Sequence, residues 1–225
     1  MSNPRKSSVD VRKLTLAAMF AALAFVTVII FRLSIIPAAP YLNYDVKDVI
    51  SALGGLILGP AYGAMIAAVV AMLEWFTISD SGWIGFIMNT ISSCAFICPA
   101  AIIYSRSKKL SSAVIGLVVS VVVLVIVMLL WNYILTPLYT PFVTREDILG
   151  MLVPVFLPFN ALKGSLNAAF VFLLYRPVIG MLRSAKLMPA SAAKAKKKVP
   201  VLAIIGAVAV IITCVLVILS YKGII

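Results

Sequence analysis

Apolar residues occupy this 225-residue chain in seven runs, each closed by a short polar or proline-containing break. The first covers about 14–33. A run of only ten residues, Val49 to Leu58, follows and stops at Gly59-Pro60. Longer runs cover about 61–78, 83–104, 112–135 and 145–175, and a featureless one fills 200–220. A helix needs roughly 20 apolar residues to cross a bilayer, so six runs predict spanning helices and the second predicts a short or tilted one. Pro37 and Pro40 disfavour helix beyond the first run, and Thr136-Pro137 together with Pro141 predicts a break after the fifth.

Composition and charge agree with a membrane bundle. The chain is 64% hydrophobic and 12% charged, far from the roughly 25% charged content of a soluble domain. Its net charge of +12 would point to nucleic acid in a soluble protein. Here the basic residues gather at the ends of apolar runs: four precede the first run, three follow the fourth, and seven lie between the sixth and the last. That places fourteen of nineteen cations on one side, with Asp10 the one acid there. The positive-inside rule then sets the N-terminus in the cytoplasm and the C-terminus outside, with the basic ends able to lean on anionic membrane lipid. Nucleic acid is not expected as a partner. The organisation read from this pattern is a basic N-terminus (1–13), a six-helix membrane domain (14–185), a Lys-rich linker (186–199) and an additional helix (200–225). The first run exceeds the hydrophobic stretch of a cleavable signal and reads as a retained helix.

Candidate chemistry is sparse. The absence of histidine removes the commonest general base and metal ligand. Cys94, Cys98 and Cys214 lie inside apolar runs and read as small buried residues rather than as a metal site. Asp45 and Asp48 fall short of the clustered acids of a metal-dependent lipid-modifying enzyme, and no phosphate-cradling Gly-Lys-Ser/Thr loop is present. A charge at mid-bilayer costs about 2.5–3.5 kcal/mol on insertion scales, so the most informative residue is Lys163. Asn160, Lys163 and Asn167 are spaced i, i+3, i+7 and share one helix face, just after Pro154 and Pro158, which loosen the backbone. A binding site for a polar ligand is one reading. A packing stripe in which Lys163 pairs with Glu74 is the other. Asn132 beside Trp131, and Glu74 beside Trp75, are either interfacial aromatic belt or the wall of a pocket. Asn43, Asp45, Lys47 and Asp48 read as solvated loop residues, with a lid as the alternative. In the first helix, Ala17 with Ala21 and Ala18 with Ala22 are small pairs four apart, which allow close helix approach in lipid.

Three motifs together resemble a known family. Tyr41-Leu-Asn-Tyr-Asp-Val-Lys-Asp48 leading into Ala52-Leu-Gly-Gly-Leu-Ile-Leu-Gly-Pro60, Trp131-Asn132 with Pro137, and Pro158-Phe-Asn-Ala-Leu-Lys-Gly164 are similar to the substrate-binding (S) components of energy-coupling factor (ECF) transporters, and to their riboflavin-specific members in particular. The resemblance covers about residues 10–185. It implies an all-α six-helix S component in the cell membrane that captures a vitamin outside, has no catalysis or cofactor of its own, and works with a transmembrane coupling subunit and two ATPases. It further implies that Ala17, Ala18, Ala21 and Ala22 dock on the coupling subunit. Asn132, Asn160 and Lys163 would contact riboflavin, with Trp75, Trp131 or Tyr44 along the apolar ring edge and Asp45, Glu74 and Asn167 nearby, while 36–48 resembles the outer lid. Carriage of thiamine, biotin, a folate or a queuosine precursor, a lipid-modifying enzyme, and a scaffold are the alternatives. The last helix has no counterpart in the six-helix unit.

Overall fold

A computed structural model describes residues 10–36, 39, 42–78, 82–139, 144–187 and 201–224. The basic tail before Asp10, Pro37, Pro40 and Tyr41, residues 79–81 and 140–143, and most of the Lys-rich linker lie outside the described residues. The elements run α1 (Val11–Ile30), β1 (Arg32–Ser34), β2 (Asn43–Asp45), α2 (Lys47–Leu58), α3 (Pro60–Thr77), α4 (Gly82–Ser107), α5 (Leu110–Tyr139), α6 (Arg145–Met151), a π-helical turn (Leu152–Phe156), α7 (Leu157–Ser184) and α8 (Val201–Tyr221). Among the described residues, six segments are long and apolar enough to cross a membrane, with α6 to α7 counting as one of them, and α2 is too short. Among the described residues the regular structure is helical apart from one antiparallel hairpin, in which Arg32 pairs with Asp45 and Ser34 with Asn43.

The short helix is the centre of the bundle. α2 packs against α1, α3, α4 and α7, and Val49, Ala52, Leu53 and Leu56 are buried on it together with Gly54 and Gly55. After its charged first turn the helix is apolar on nearly every side, which suits an interior position, and one of 12 residues fits inside the bundle without needing to reach both membrane faces. It turns into α3 at Gly59, whose φ of 112° lies where side chains are strained, and Pro60 opens α3 at a position where its missing N–H is no loss. Gly63 then lets α3 lie directly on α2: a Cβ there would come within 2.7 Å of the Gly55 Cα and of the Ile97 side chain. The principal core runs from Ala17, Phe20 and Ala24 of α1 through Leu53 and Ile66 to Phe96 and Leu124.

Three boundaries differ from the sequence expectation. α1 ends at Ile30 rather than near 33 because Arg32–Ser34 is drawn into the hairpin. α5 continues through Pro137 to Tyr139, since a spanning helix tolerates the loss of one backbone donor when polar side chains are near. Asn132 and Thr136, hydrogen-bonded to each other at 3.2 Å, supply them. The sixth run is not one regular helix. Thr144 and Asp147 form a reciprocal capping box that starts α6, and around Pro154 the coil widens so that the Leu157 N–H reaches the Leu152 carbonyl, five residues back. That widening makes room for the ring of Pro158, which an α-helix would press against the carbonyl four residues earlier.

Arg12 of α1 donates from Nε to the Leu187 carbonyl at 3.0 Å, so the α1 start and the α7 end share one end of the bundle. Arg32, after α1, donates to the Ile78 carbonyl after α3 at 3.2 Å, at the opposite end. Replacing Gly63 by Leu is expected to cost about 1–3 kcal/mol or more through overpacking against backbone, whereas Gly180→Ala, where a Cβ meets nothing within 4 Å, leaves stability unchanged or slightly raised. Thermal unfolding in detergent measures both, and equal midpoints would contradict the close α2–α3 contact.

Candidate ligand-binding site

At the hairpin end of the bundle, four elements bring five charges together. β2 supplies Asp45, the first turn of α2 supplies Lys47 and Asp48, α3 supplies Glu74, and α7 supplies Lys163. All five are buried: Lys47 is 2%, Asp48 1% and Lys163 5% exposed. Lys47 Nζ lies 2.5 and 2.7 Å from the two Glu74 oxygens. Lys163 Nζ lies 3.2 Å from Asp48 Oδ2. Asp45 stands between the two ammonium groups, 3.8 Å from Lys47 and 3.6 Å from Lys163. Two neutral donors from α4 complete the set: Ser93 donates to Asp48 at 2.5 Å and Asn89 to Glu74 at 3.1 Å. Asp48 in the first turn of α2 also gains from the positive end of that helix.

This network corrects two sequence expectations. Lys163 does not pair with Glu74; Lys47 takes that carboxylate. Lys47, Asp45 and Asp48 are not solvated loop residues, because α2 begins at Lys47 and its first turn is carried into the interior by the apolar residues behind it. A charge so placed is tolerable only when matched and hydrogen-bonded.

Beside the network lies a cavity of about 130 Å3. Asn132, Asn160, Lys163, Asn89, Asn43 and Arg32 line its polar part together with Asp45 and Glu74, and Val28, Leu42, Ile78, Met88, Met128 and Phe159 its apolar part. The Asn160 amide donates to the Phe156 carbonyl at 2.7 Å, at the end of the π turn. Asn132 donates to the Met128 carbonyl at 2.7 Å and accepts from Thr136. Each amide is thereby held by its own helix while it borders the cavity.

The remaining expected residues divide. Asn167 is fully buried one turn below Lys163, away from the cavity, and its Oδ1 accepts from the Tyr44 hydroxyl at 3.1 Å. Burial, followed by the Asp45 carboxylate, pushes the Tyr44 phenol above its ordinary range, so it stays a donor that pins β2 to α7. Trp75 is not a cavity wall: it is 36% exposed and stacks on Phe76 and Phe86, centroids 4.8 and 5.7 Å away. Trp131, next to Asn132 on α5, points about 100° away from it around the helix and is likewise absent from the lining. Among the described residues no group of three or more His, Cys, Asp or Glu is arranged to hold a metal. Sequence reasoning missed Asn89, an amide within an apolar run, and Arg32; the cost of polar groups inside a membrane was the signal available for the first.

The alanines of α1 also divide. Ala17 and Ala21 are buried against the chain's own core, Ala17 being 1% exposed, while Ala18 and Ala22 remain on the outer surface. Adjacent residues on a helix lie about 100° apart, and here that turn sets Ala17 and Ala21 on the inner face and Ala18 and Ala22 off it.

With this geometry in view, the comparisons are specific. Residues 12–175 match the family model of the ECF transporter substrate-specific component. The chain belongs to this family. It is 32% identical to the riboflavin transporter RibU of Staphylococcus aureus over 81% of its own length and 99% of the relative's. It is 27% identical to the riboflavin transporter FmnP of Bacillus subtilis over 78% of its length and 97% of the relative's. A solved structure described as the S component of a bacterial ECF transporter matches with a TM-score of 0.64 and 30% identity, over 76% of this chain and 98% of that one. The family match ends at residue 175, before α8.

Removing one member of the network leaves its partner charged and buried. Lys47→Met is expected to destabilise this S component by about 3–5 kcal/mol, and Lys47→Met with Glu74→Leu to recover most of that loss. Thermal unfolding in detergent measures the pair. A double variant as unstable as the single one would show that Lys47 does not balance Glu74.

Proposed function

We propose that this S component captures riboflavin at the hairpin end of the bundle and delivers it with an ATP-driven ECF module. The observation that carries the reading is the cavity in which Asn132, Asn160 and Lys163 meet from two helices. Two amides and an ammonium offer both donors and acceptors to the polar edge of an isoalloxazine ring. The dimethylbenzene edge lies against Met88, Met128 and Phe159, since thioether sulfur and aromatic edges suit a flat aromatic ligand. This reassigns the apolar wall expected of Trp75 and Trp131. Tyr44 and Asn167 support the site from behind, and the Asp45–Lys163 contact ties the hairpin to the binding helix.

At about 130 Å3 the cavity is below the roughly 300–1,000 Å3 of pockets for drug-sized ligands. A three-ring vitamin therefore enters with outward movement of the β1–β2 hairpin, which acts as the lid. We read the site as binding rather than catalytic because its carboxylates are engaged by Lys47 and Lys163 and not left to act as bases. The basic end, where Arg12 meets the end of α7, faces the cytoplasm under the positive-inside rule, so the site opens outward and the end of α8 lies outside. Ala18 and Ala22 are the small residues available for a transmembrane coupling subunit, which two ATPase subunits would drive.

Titration of the detergent-purified chain with riboflavin should quench flavin fluorescence with one-to-one stoichiometry. Asn160→Ala and Asn132→Ala should each weaken binding about tenfold, the worth of one buried hydrogen bond, with thermal unfolding near that of the unaltered chain. A folded protein that binds no flavin would reject the vitamin, and unchanged affinity in both variants would remove these amides from the site.

A further inference from the structure

On the opposite flank of α7, helices α5, α7 and α8 leave between them a groove of about 420 Å3, well over the volume of the candidate site. Its cause is local. Toward the hairpin end, α8 packs closely, with Cys214, Ile211 and Ile218 against Phe159, Leu162 and Leu166 of α7. Toward the other end α8 presents Ala203, Gly206 and Ala207, which are too small to fill the space to α7. A Cβ built on Gly206 would meet nothing within 4 Å. Among the lining residues only Ser165 has a polar side chain, so the groove fits an apolar occupant. Left unfilled, its walls would forgo van der Waals contact.

The charges around the groove's end select the occupant. Ala168 and Phe172 of its α7 wall are followed on the same helix face by Arg176, four residues beyond Phe172, and by Arg183, seven further. Arg176 lines a small depression that shares Leu117 and Phe172 with the groove. Lys109, exposed just before Leu110 opens α5, stands at the same end. A slot that is apolar along its length and cationic at its mouth matches one membrane component: a lipid with an acyl chain and an anionic headgroup.

We infer that this groove seats an acyl chain of an anionic phospholipid whose headgroup rests on Arg176, Arg183 and Lys109, so that the lipid fastens α8 to the six-helix core. The inference is independent of the vitamin bound at the hairpin end.

Native mass spectrometry of the full chain tests it, using phosphatidylglycerol and phosphatidylcholine with identical acyl chains. The unaltered protein should retain one phosphatidylglycerol at several-fold higher occupancy than phosphatidylcholine. Gly206→Phe and Ala168→Phe fill the groove from opposite walls, and either one that keeps the original unfolding temperature should abolish the adduct. Arg176→Gln combined with Arg183→Gln should erase the preference between the two lipids while leaving a weaker adduct with both. Equal retention of the two lipids by the unaltered chain would overturn the proposal, as would phosphatidylglycerol retention that survives both phenylalanines. A dimer that Gly206→Phe dissociates would assign the groove to a second copy of the chain and overturn it equally.

Discussion

The structure turns on the burial of Lys47 and Asp48 in the first turn of a helix too short to span the membrane. Because α2 sits at the centre of the bundle, its polar start cannot reach water, and the elements around that start answer it: α3 with Glu74, α7 with Lys163, α4 with Ser93, and the hairpin with Asp45. An ion pair of this kind adds little net stability over an apolar core, yet breaking one side of it is costly. Its consequence is registry. The groups from five elements match only when those elements stand at one relative height, and that height puts Asn132 and Asn160 beside Lys163.

On the proposed reading, the same network couples the ligand site to the hairpin as its cover. Asp45 belongs to the hairpin and lies within ion-pair distance of cations on both α2 and α7, while Tyr44 next to it holds Asn167. One Asp45 oxygen, Oδ1, has no hydrogen-bond partner among the described residues, which leaves this contact weaker than the bonds between Lys47 and Glu74. A cover held by its loosest ion pairs, over a base held by its tightest, can move without disassembling the charges beneath it. The π turn of the sixth segment contributes from the other side. By accommodating Pro154 and Pro158 it lets α7 continue as regular helix with Asn160 near its start, where the side-chain amide is anchored to the turn's last carbonyl.

α8 stands apart from this logic. It meets the core through a small cluster around Cys214 at one end and leaves space at the other, and no charge of the network depends on it. Helices in lipid gain little from apolar burial alone, so a loosely packed helix needs either close small-residue contact or a third component to hold it.

By itself the sequence determined a helical membrane bundle, the order of its helical segments, the gathering of cations at the ends of apolar runs, and three of the polar residues that border the cavity, Asn132, Asn160 and Lys163. Each follows from a local rule: apolar run length, the distribution of lysine and arginine, and the expense of polar groups within a span. Only the tertiary structure decided which charges pair. That Lys47 takes Glu74, and that Asp45 and Asp48 take Lys163, depends on α2 being central. Ten apolar residues between a charged loop and a Gly-Pro turn look the same in sequence whether they lie at the surface or in the interior. Which face of a helix looks inward was undecided for the same reason: in lipid both faces are apolar, so periodicity could not separate Ala17 from Ala18, nor place Trp75 and Trp131 outside the cavity.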